Sequence, residues 1–199
     1  LLEPADARLF RRLGVFASGF TLEVAGAVAA TAFADPAIDA PAGLESLLDK
    51  SLIQRLPDGD GEPRFGLLET VRAYALEQLD AVGEADQARR AHFDHYLALA
   101  EEAVPFYRGP RMKEWIDRLA IEEDNLRAAL SWALASGAGD DRRLASIQLA
   151  GALGDFWMYG NRGLEGRAWL DRVLDGHAPL QVAAGSLREA DRRRMTFAA

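Results

Sequence analysis

The sequence contains no cysteine, little lysine and no long apolar run. Without Cys among its 199 residues, a disulfide framework and thiolate chemistry are excluded, which fits a reducing cytoplasm. The longest apolar stretch, residues 24–34, is too short and too rich in alanine to span a membrane. No segment shows the basic, apolar and small-residue order of a signal peptide. We therefore expect a cytoplasmic chain, and the absence of an initial Met leads us to expect a piece of a longer protein.

Positive charge is scarce in the first part of the chain. The net charge is −8, and residues 1–82 carry 7 Lys and Arg against 13 Asp and Glu. Neutralising nucleic-acid phosphates requires clustered positive charge, so this balance argues against a nucleic-acid partner for residues 1–82. The compact basic cluster Arg192–Arg194 is interpreted as the solvated face of a helix.

The first eighty residues predict three helices, a hairpin and a closing helix. Helical patterns cover residues 3–16, 19–33 and 41–51, with Pro4 in a first turn and Thr21 as an N-cap. The alternating segments 51–56 and 64–68 flank "PDGDGEP", so they predict a β-hairpin with a long tip. Leu68, Val71, Ala75, Leu79 and Val82 then form an apolar stripe at helical spacing. This order resembles a winged helix-turn-helix with one extra helix, and we expect this domain at residues 1–82.

The remaining chain, residues 83–199, predicts helices only. The patterns cover 84–104, 111–136, 141–160 and 161–176, and the acidic "EEDN" at 122–125 is expected to kink or restart the second of them with Asp124 or Asn125 as a cap. Small and large residues alternate in the last pair, a feature typical of tetratricopeptide-like repeats. Residues 186–198 predict the first helix of another unit. The expected fold is thus mainly α, with a winged helix followed by a tetratricopeptide-like helical domain.

Five sequence segments, in this order along the chain, suggest a family. They are "LFRRLGVFASGFTLEVAGAV", "LESLLDKSLIQ", "FGLLETVRAYALEQL", "EEDNLRAALSWAL" and "NRGLEGRAWLDRVL". Together they resemble the segment that follows the nucleotide-binding module in bacterial STAND-type (NB-ARC-like) ATPase transcriptional regulators of the SARP and LuxR-like kind. The resemblance implies a non-catalytic segment that packs on an upstream nucleotide-binding domain and offers a helical scaffold to a protein or small-molecule inducer. ATP or ADP and magnesium would belong to that upstream domain, and this chain itself would bind no cofactor.

The resemblance also places a motif at the start of the fourth helix. Leu67, Leu68 and Glu69 stand where relatives carry a Met-His-Asp triplet, and Arg72 matches in kind. The histidine of that motif reaches the nucleotide phosphate, whereas Leu68 has no hydrogen-bond donor. We therefore expect Leu67, Leu68, Glu69 and Arg72 to contact the neighbouring domain without binding phosphate directly.

The Glu69–Arg72 pair has two interpretations. As a helix-start acid with an i,i+3 partner, it would contribute only about 0.2–0.5 kcal/mol to helix stability. As a charged contact with the nucleotide-binding domain, it would link two domains. The sequence leaves both interpretations open.

DNA binding is the alternative function. A recognition helix and a wing use Arg, Lys, Asn or Gln to contact bases and phosphates, but residues 41–51 carry Glu45, Asp49 and Lys50, and the hairpin tip is acidic. We therefore consider DNA an unlikely partner of this winged helix. The alternative is a DNA-binding winged helix followed by a helical dimerisation or ligand domain.

Other chemistry finds little support in the sequence. His92 and His95 share a helix face, but a metal site needs further ligands and His177 is far away in the chain. No nucleophile motif is present, so we expect no enzymatic activity in this chain. Four tryptophans at helical positions, namely Trp115, Trp132, Trp157 and Trp169, are interpreted as packing residues.

Overall fold

The computed structural model describes residues 2–57, 62–135 and 139–176. It divides into two compact units, Leu1–Trp132 and Ala133–Ala199. The hairpin tip at 58–61, His177, Arg192–Arg194 and the helix expected at 186–198 lie outside the described residues.

The first unit begins with the elements expected of a winged helix. They are α1 (Pro4–Leu13), β1 (Phe20–Thr21), α2 (Leu22–Ala29), α3 (Ala40–Asp49), β2 (Gln54–Leu56), β3 (Arg64–Gly66) and α4 (Glu69–Ala81). Local signals explain the helix starts: the Thr21 hydroxyl accepts from the Val24 amide at 3.3 Å, and the Asp39 carboxylate accepts from the Ala42 amide at 3.2 Å. Helix α2 ends before the predicted residue 33, because a short 3-10 turn follows at Thr31–Phe33.

A small antiparallel sheet joins distant parts of this unit. Its strand order is β1-β3-β2, with Phe65 opposite both Phe20 and Arg55. The predicted hairpin is confirmed over a shorter span than expected. Strand β1 was not predicted, because two residues show no periodicity and their partner is more than forty positions away in the chain.

The core of the first unit lies where α1, α2, α3 and α4 meet. Leu9, Leu13, Phe20, Leu47 and Leu79 are all fully buried. Helices α1 and α4 approach closely at Gly14, where an added Cβ would lie 3.0 Å from the Ala75 Cβ. A larger residue at position 14 would therefore push the two helices apart.

The apolar stripe predicted along α4 is only partly buried. Ala75 and Leu79 are inaccessible to solvent, but Leu68 is 54% exposed and Val82 is 53% exposed. Helical periodicity thus identified the direction of the buried face but not how far the burial extends along α4. The stripe leaves apolar side chains exposed at both ends of the helix.

Three further helices complete the first unit. They are α5 (Ala85–Ala103), α6 (Met112–Ile121) and α7 (Glu123–Ala133). The predicted break in the 111–136 pattern is confirmed at Glu122, which lies between α6 and α7. This compact unit extends beyond the sequence-based boundary between residues 82 and 83, and that boundary stays a prediction about domain organisation.

The second unit contains α8 (Asp140–Ala152), α9 (Gly154–Tyr159) and α10 (Gly163–Gly176). Asn161 turns the chain between α9 and α10 with a φ of 59°. Gly166 lies against Trp157, so close that an added Cβ would be 2.6 Å from the Trp157 Cβ. The pairing of small with large residues is therefore present, while the assignment to tetratricopeptide-like repeats stays a prediction.

Among the described residues, no helix is both long and apolar enough to cross a membrane.

Candidate functional site

The Glu69–Arg72 pair lies on the surface at the start of α4. Arg72 donates from Nε to one Glu69 carboxylate oxygen at 3.0 Å and from Nη2 to the other at 2.8 Å. The Glu69 side chain is 76% exposed. The hydrogen bond from Arg72, together with its charge, lowers the pKa of the Glu69 carboxyl, so the pair stays ionised at neutral pH. The two side chains are thus held together and accessible to a partner.

Leu67 and Leu68 lead into this pair from β3. Leu67 is half-buried, and Leu68, at the N-cap position of α4, is exposed and gives the helix no side-chain cap. The four predicted contact residues are therefore consecutive or one turn apart at one end of α4. They offer an apolar side chain next to a carboxylate and a guanidinium, a combination suited to a protein surface. Their role as a domain contact stays a prediction.

Helix α3 presents mainly acids to solvent. Glu45 and Asp49 are exposed, and the Lys50 ammonium lies 3.9 Å from the Asp6 carboxylate and donates to the Ser46 hydroxyl. Arg55 on β2 is exposed, and no carboxylate pairs with it within the described part of the chain. The second arginine flanking the wing, Arg64, points inward instead. The elements that would face a duplex therefore carry little accessible positive charge.

A buried polar cluster, not predicted from the sequence, surrounds Asn125 on α7. This side chain is inaccessible to solvent. Its Oδ1 accepts from the backbone amides of Ala17 at 2.9 Å and Ser18 at 3.2 Å. Its Nδ2 donates to the Gly19 carbonyl at 3.1 Å and to the Glu122 carboxylate at 2.9 Å. Asn125 thus satisfies the backbone of the loop between α1 and β1 from a helix more than one hundred residues later.

Glu122 extends the same cluster to the wing and to α5. Its carboxylate pairs with the Arg64 guanidinium and accepts from the Tyr96 hydroxyl at 2.9 Å. Arg64 also donates to the Gly19 carbonyl at 2.7 Å. Burial, followed by the Glu122 charge, raises the pKa of Tyr96 well above its ordinary value, so the phenol remains a donor. We call Arg64, Tyr96, Glu122 and Asn125 the Asn125 cluster.

The histidine pair of α5 borders this cluster. His92 is buried, with its Nε2 3.5 Å from Asn125 Oδ1, and burial lowers its pKa to about 3. Its ring is therefore neutral at physiological pH. Within the described residues, no group of three or more His, Asp or Glu is arranged to hold a metal ion.

A second buried cluster surrounds Arg12 on α1. Arg12 is 3% exposed and donates to both oxygens of Glu84, to the Asp35 carboxylate and to the Ala29 carbonyl. Arg8 pairs with Asp35 and Arg11 with Glu84. The hydrogen bond from Arg12 contributes most to lowering the pKa of Glu84. This Arg12 cluster joins α1 to the α2–α3 connection and to the turn between α4 and α5.

The tryptophans serve packing, as predicted. Trp115, Trp157 and Trp169 are buried, and Trp132 is half-buried with its Nε1 donating to Asp86 at 3.3 Å. The Trp115 ring stacks on Phe106 at 5.1 Å between centroids. The side chains therefore contribute to helix contacts within their own units.

Comparison with known proteins agrees with the order of elements in the first unit. Residues 2–80 match the family model of a winged helix-turn-helix domain. This part of the chain is a winged helix-turn-helix domain. No solved structure matches the chain significantly.

The chain is also similar to mycobacterial proteins. A protein of Mycobacterium tuberculosis, provisionally named an HTH-type transcriptional regulator, is 38% identical over 175 residues, and so is its counterpart in Mycobacterium bovis. The match covers 88% of this chain and 19% of the relative. An uncharacterised protein of M. tuberculosis is 35% identical over 95 residues, 48% of this chain and 24% of that protein. The chain thus spans about a fifth of the length of the regulators it matches.

Proposed function

We propose that this chain is a non-catalytic regulatory segment of a transcriptional regulator, acting in the cytoplasm. In this proposal its winged helix packs against a nucleotide-binding module elsewhere in the same protein. The observation that carries the proposal is the inward orientation of Arg64 together with the exposed acids of α3. A winged helix that reads DNA uses those two elements for base and phosphate contacts. Here α3 is acidic, and one of the two arginines that flank the wing tip, Arg64, is engaged in an internal ion pair.

The exposed end of α4 is the proposed contact with that module. Leu68 would enter an apolar depression on the partner. Glu69 and Arg72 would each give up one of the hydrogen bonds between them and form a hydrogen bond or ion pair with the partner instead. A packed arrangement would then be in equilibrium with an unpacked one, and effector binding would shift that equilibrium. The helices that follow the winged helix would offer the scaffold for a protein or small-molecule inducer.

In this proposal the nucleotide binds to the nucleotide-binding module and not to the residues of this chain. ATP or ADP and magnesium need a Gly-rich phosphate loop and acids, and the sequence contains no such loop. Leu68, at the position matching the phosphate-contacting histidine, has no donor group. The residues present therefore do not fit a nucleotide or its metal ion, and no step of the mechanism passes through them.

DNA binding by this winged helix, with the later helices serving dimerisation or ligand binding, is the second candidate function. The comparisons support it more directly than the first, because residues 2–80 match a helix-turn-helix family and the relatives are named as HTH-type regulators. Exposed Arg55 on β2 is the side chain best placed for a phosphate. The charges on α3 oppose this function, so the two candidates predict different results in solution.

A fluorescence-anisotropy titration of a labelled random-sequence duplex with the 199-residue chain separates them. We expect no binding tighter than about 10⁻⁵ M at physiological salt, because non-specific attraction depends on accessible positive charge. The matched variant carries Glu45→Lys and Asp49→Lys on α3, and it is expected to gain salt-sensitive affinity. Salt-sensitive binding by the unaltered chain that Arg55→Gln weakens would establish the second function and contradict the first.

The proposed contact at α4 is tested in the full-length protein. Replacing both Glu69 and Arg72 with alanine is expected to change the rate of ADP release by about fivefold or more, the lower range of coupling between sites. The control removes the Arg111–Glu114 pair, an exposed i,i+3 pair of the same geometry on α6. If ADP release is unchanged in the first variant, Glu69 and Arg72 serve only to fasten the helix start.

A further inference from the structure

A cavity of about 370 Å³ lies within the first unit, beside the Asn125 cluster. Its walls come from the start of α2, the wing, α5 and α6. This volume is in the lower part of the range for small-molecule sites. The lining is mixed and contains charged side chains together with the apolar residues Val24, Leu99 and Ile121.

Several polar groups that line this cavity lack a partner of opposite charge. The Arg118 guanidinium lies 4.6 Å from the centre of the Trp115 ring and is exposed. Its charge helps to lower the pKa of the Glu114 carboxyl one turn earlier, but Arg118 forms no ion pair with a carboxylate in the described part of the chain. Glu23 on α2 likewise has no cationic partner among the described residues. Charged groups facing a cavity without internal partners are available to a ligand, because a ligand can replace the water around them with ion pairs.

His95 lines the same cavity as Arg118, Glu23 and Glu122, and its pKa reflects their charges. Burial lowers the pKa of its ring, while the negative charges of Glu122 and Glu23 raise it and the positive charge of Arg118 lowers it. All three charges therefore lie close enough to act on the same imidazole. His95 forms no hydrogen bond within the residues that the structure describes, so one of its ring nitrogens can donate to a ligand.

Two other charged groups of the cavity, Arg64 and Glu122, already neutralise each other. Each of them makes a further hydrogen bond inside the Asn125 cluster. This pair leaves Arg118 and His95 as the donors and Glu23 as the acceptor for a bound molecule, with Glu62 at the wing adding a second carboxylate to the lining.

We propose that this cavity binds a small zwitterion with an apolar side chain, namely an amino acid or a dipeptide. Its carboxylate would pair with Arg118 and accept from His95, and its ammonium would bind Glu23. The apolar side chain would lie against Val24, Leu99 and Ile121. The proposal goes beyond the function given above and holds whether the winged helix packs on another domain or binds DNA.

Binding at this place would act on the fold as well. The cavity is lined by the winged helix through Thr21, Glu62 and Arg64, and by later helices through Leu99 and Arg118. A ligand that contacts both sides stabilises the state in which they are packed together. The site is therefore suited to transmit the presence of a metabolite to the winged helix.

The probes are L-leucine and the dipeptide Gly-Leu, titrated into the ¹⁵N-labelled 199-residue chain and followed by amide chemical shifts. We expect saturable shifts for at least one of them, centred on residues of the cavity walls. The matched analogues are 4-methylpentanoate, which lacks the ammonium, and leucine methyl ester, which lacks the carboxylate. Each is expected to bind about tenfold more weakly, because a site built for a charged group rejects the analogue without it.

Two variants and two controls complete the test. Arg118→Gln and Glu23→Gln are each expected to lower the affinity about tenfold. Arg108→Gln and Glu77→Gln, both exposed and away from the cavity, should bind as the unaltered chain does. The proposal is overturned if neither probe gives saturable shifts, if both analogues bind as well as leucine, or if both cavity variants retain full affinity. The analogue series uses the unaltered chain, so it decides the matter even if a variant fails to fold.

Discussion

Asn125→Ala is expected to lower the free energy of unfolding of the first unit by about 3–5 kcal/mol. The substitution removes the acceptor of two backbone amides, those of Ala17 and Ser18. It also removes one of the two donors to the Gly19 carbonyl and to one Glu122 oxygen, which keep Arg64 and Tyr96 respectively. Each unsatisfied buried group costs about 1–3 kcal/mol, and part of the total is recovered if water enters the space.

Chemical denaturation followed by tryptophan fluorescence measures this effect, read from the transition of the unit that contains Leu1–Trp132. Asp124→Ala is the matched control, since Asp124 is the exposed neighbour that pairs with Arg127 on the surface. Its effect should stay within about 1 kcal/mol, as for other surface ion pairs. A stability loss for Asn125→Ala as small as that of the control would show that the cluster does not hold the loop to α7.

A change of one atom tests the same geometry more finely. Asn125→Asp keeps the oxygen that accepts from Ala17 and Ser18 but replaces the donor facing Gly19 and Glu122 with a second carboxylate oxygen. Two carboxylates would then face each other in the cluster, and their like charges would repel each other. The two substitutions therefore separate the contribution of the acceptor from that of the donor.

Features that depend on neighbours in the chain were predictable from the sequence. The start of α2 after Thr21 follows from a capping residue. The break near residues 122–125 was also predicted, but the expected cap was wrong, because α7 begins at Glu123 and so Asp124 and Asn125 both lie within the helix. The Glu69–Arg72 pair was predictable because residues three apart on a helix lie side by side. Periodicity also identified the buried side of α4 at Ala75 and Leu79, although the exposed ends of the stripe could not be recognised from it.

Features that depend on distant partners could not be predicted. "EEDN" was interpreted as a helix cap, yet Asn125 bonds to a loop that lies more than one hundred residues earlier. Arg64 flanks the hairpin tip in the sequence, and its local pattern does not indicate that it is half-buried in an ion pair with Glu122. A single polar residue has the same local pattern in a cap and in a buried cluster, so only the packing of α7 on the winged helix distinguishes the two.

The Arg12 cluster leads to the second large expected effect. Arg12→Met is expected to destabilise the first unit by about 3–5 kcal/mol, because methionine keeps much of the apolar stem and removes the buried guanidinium. Glu84 and Asp35 would then share the site without their common counter-ion, and the Ala29 carbonyl would lose its donor. The pKa of Glu84, which Arg12 lowers in the unaltered chain, would rise toward its ordinary value. The loss of stability should therefore be full at neutral pH and should shrink as the pH falls below that ordinary value and through the lowered pKa of the unaltered chain.

The matched control is Arg11→Met, which removes a cation from the same carboxylate at a more accessible position on α1. Arg11 bonds Glu84 at 3.2 and 3.3 Å, against 3.0 and 3.1 Å for Arg12, and it makes no contact with Asp35. We expect a loss of about 1 kcal/mol, measured by denaturation at neutral and acidic pH. Equal losses for the two arginines would mean that Glu84 needs only one positive charge nearby. A larger loss for Arg12 that shrinks on acidification means that the guanidinium links α1 to Asp35 and Glu84 together, and thereby holds the winged helix to the turn that begins α5.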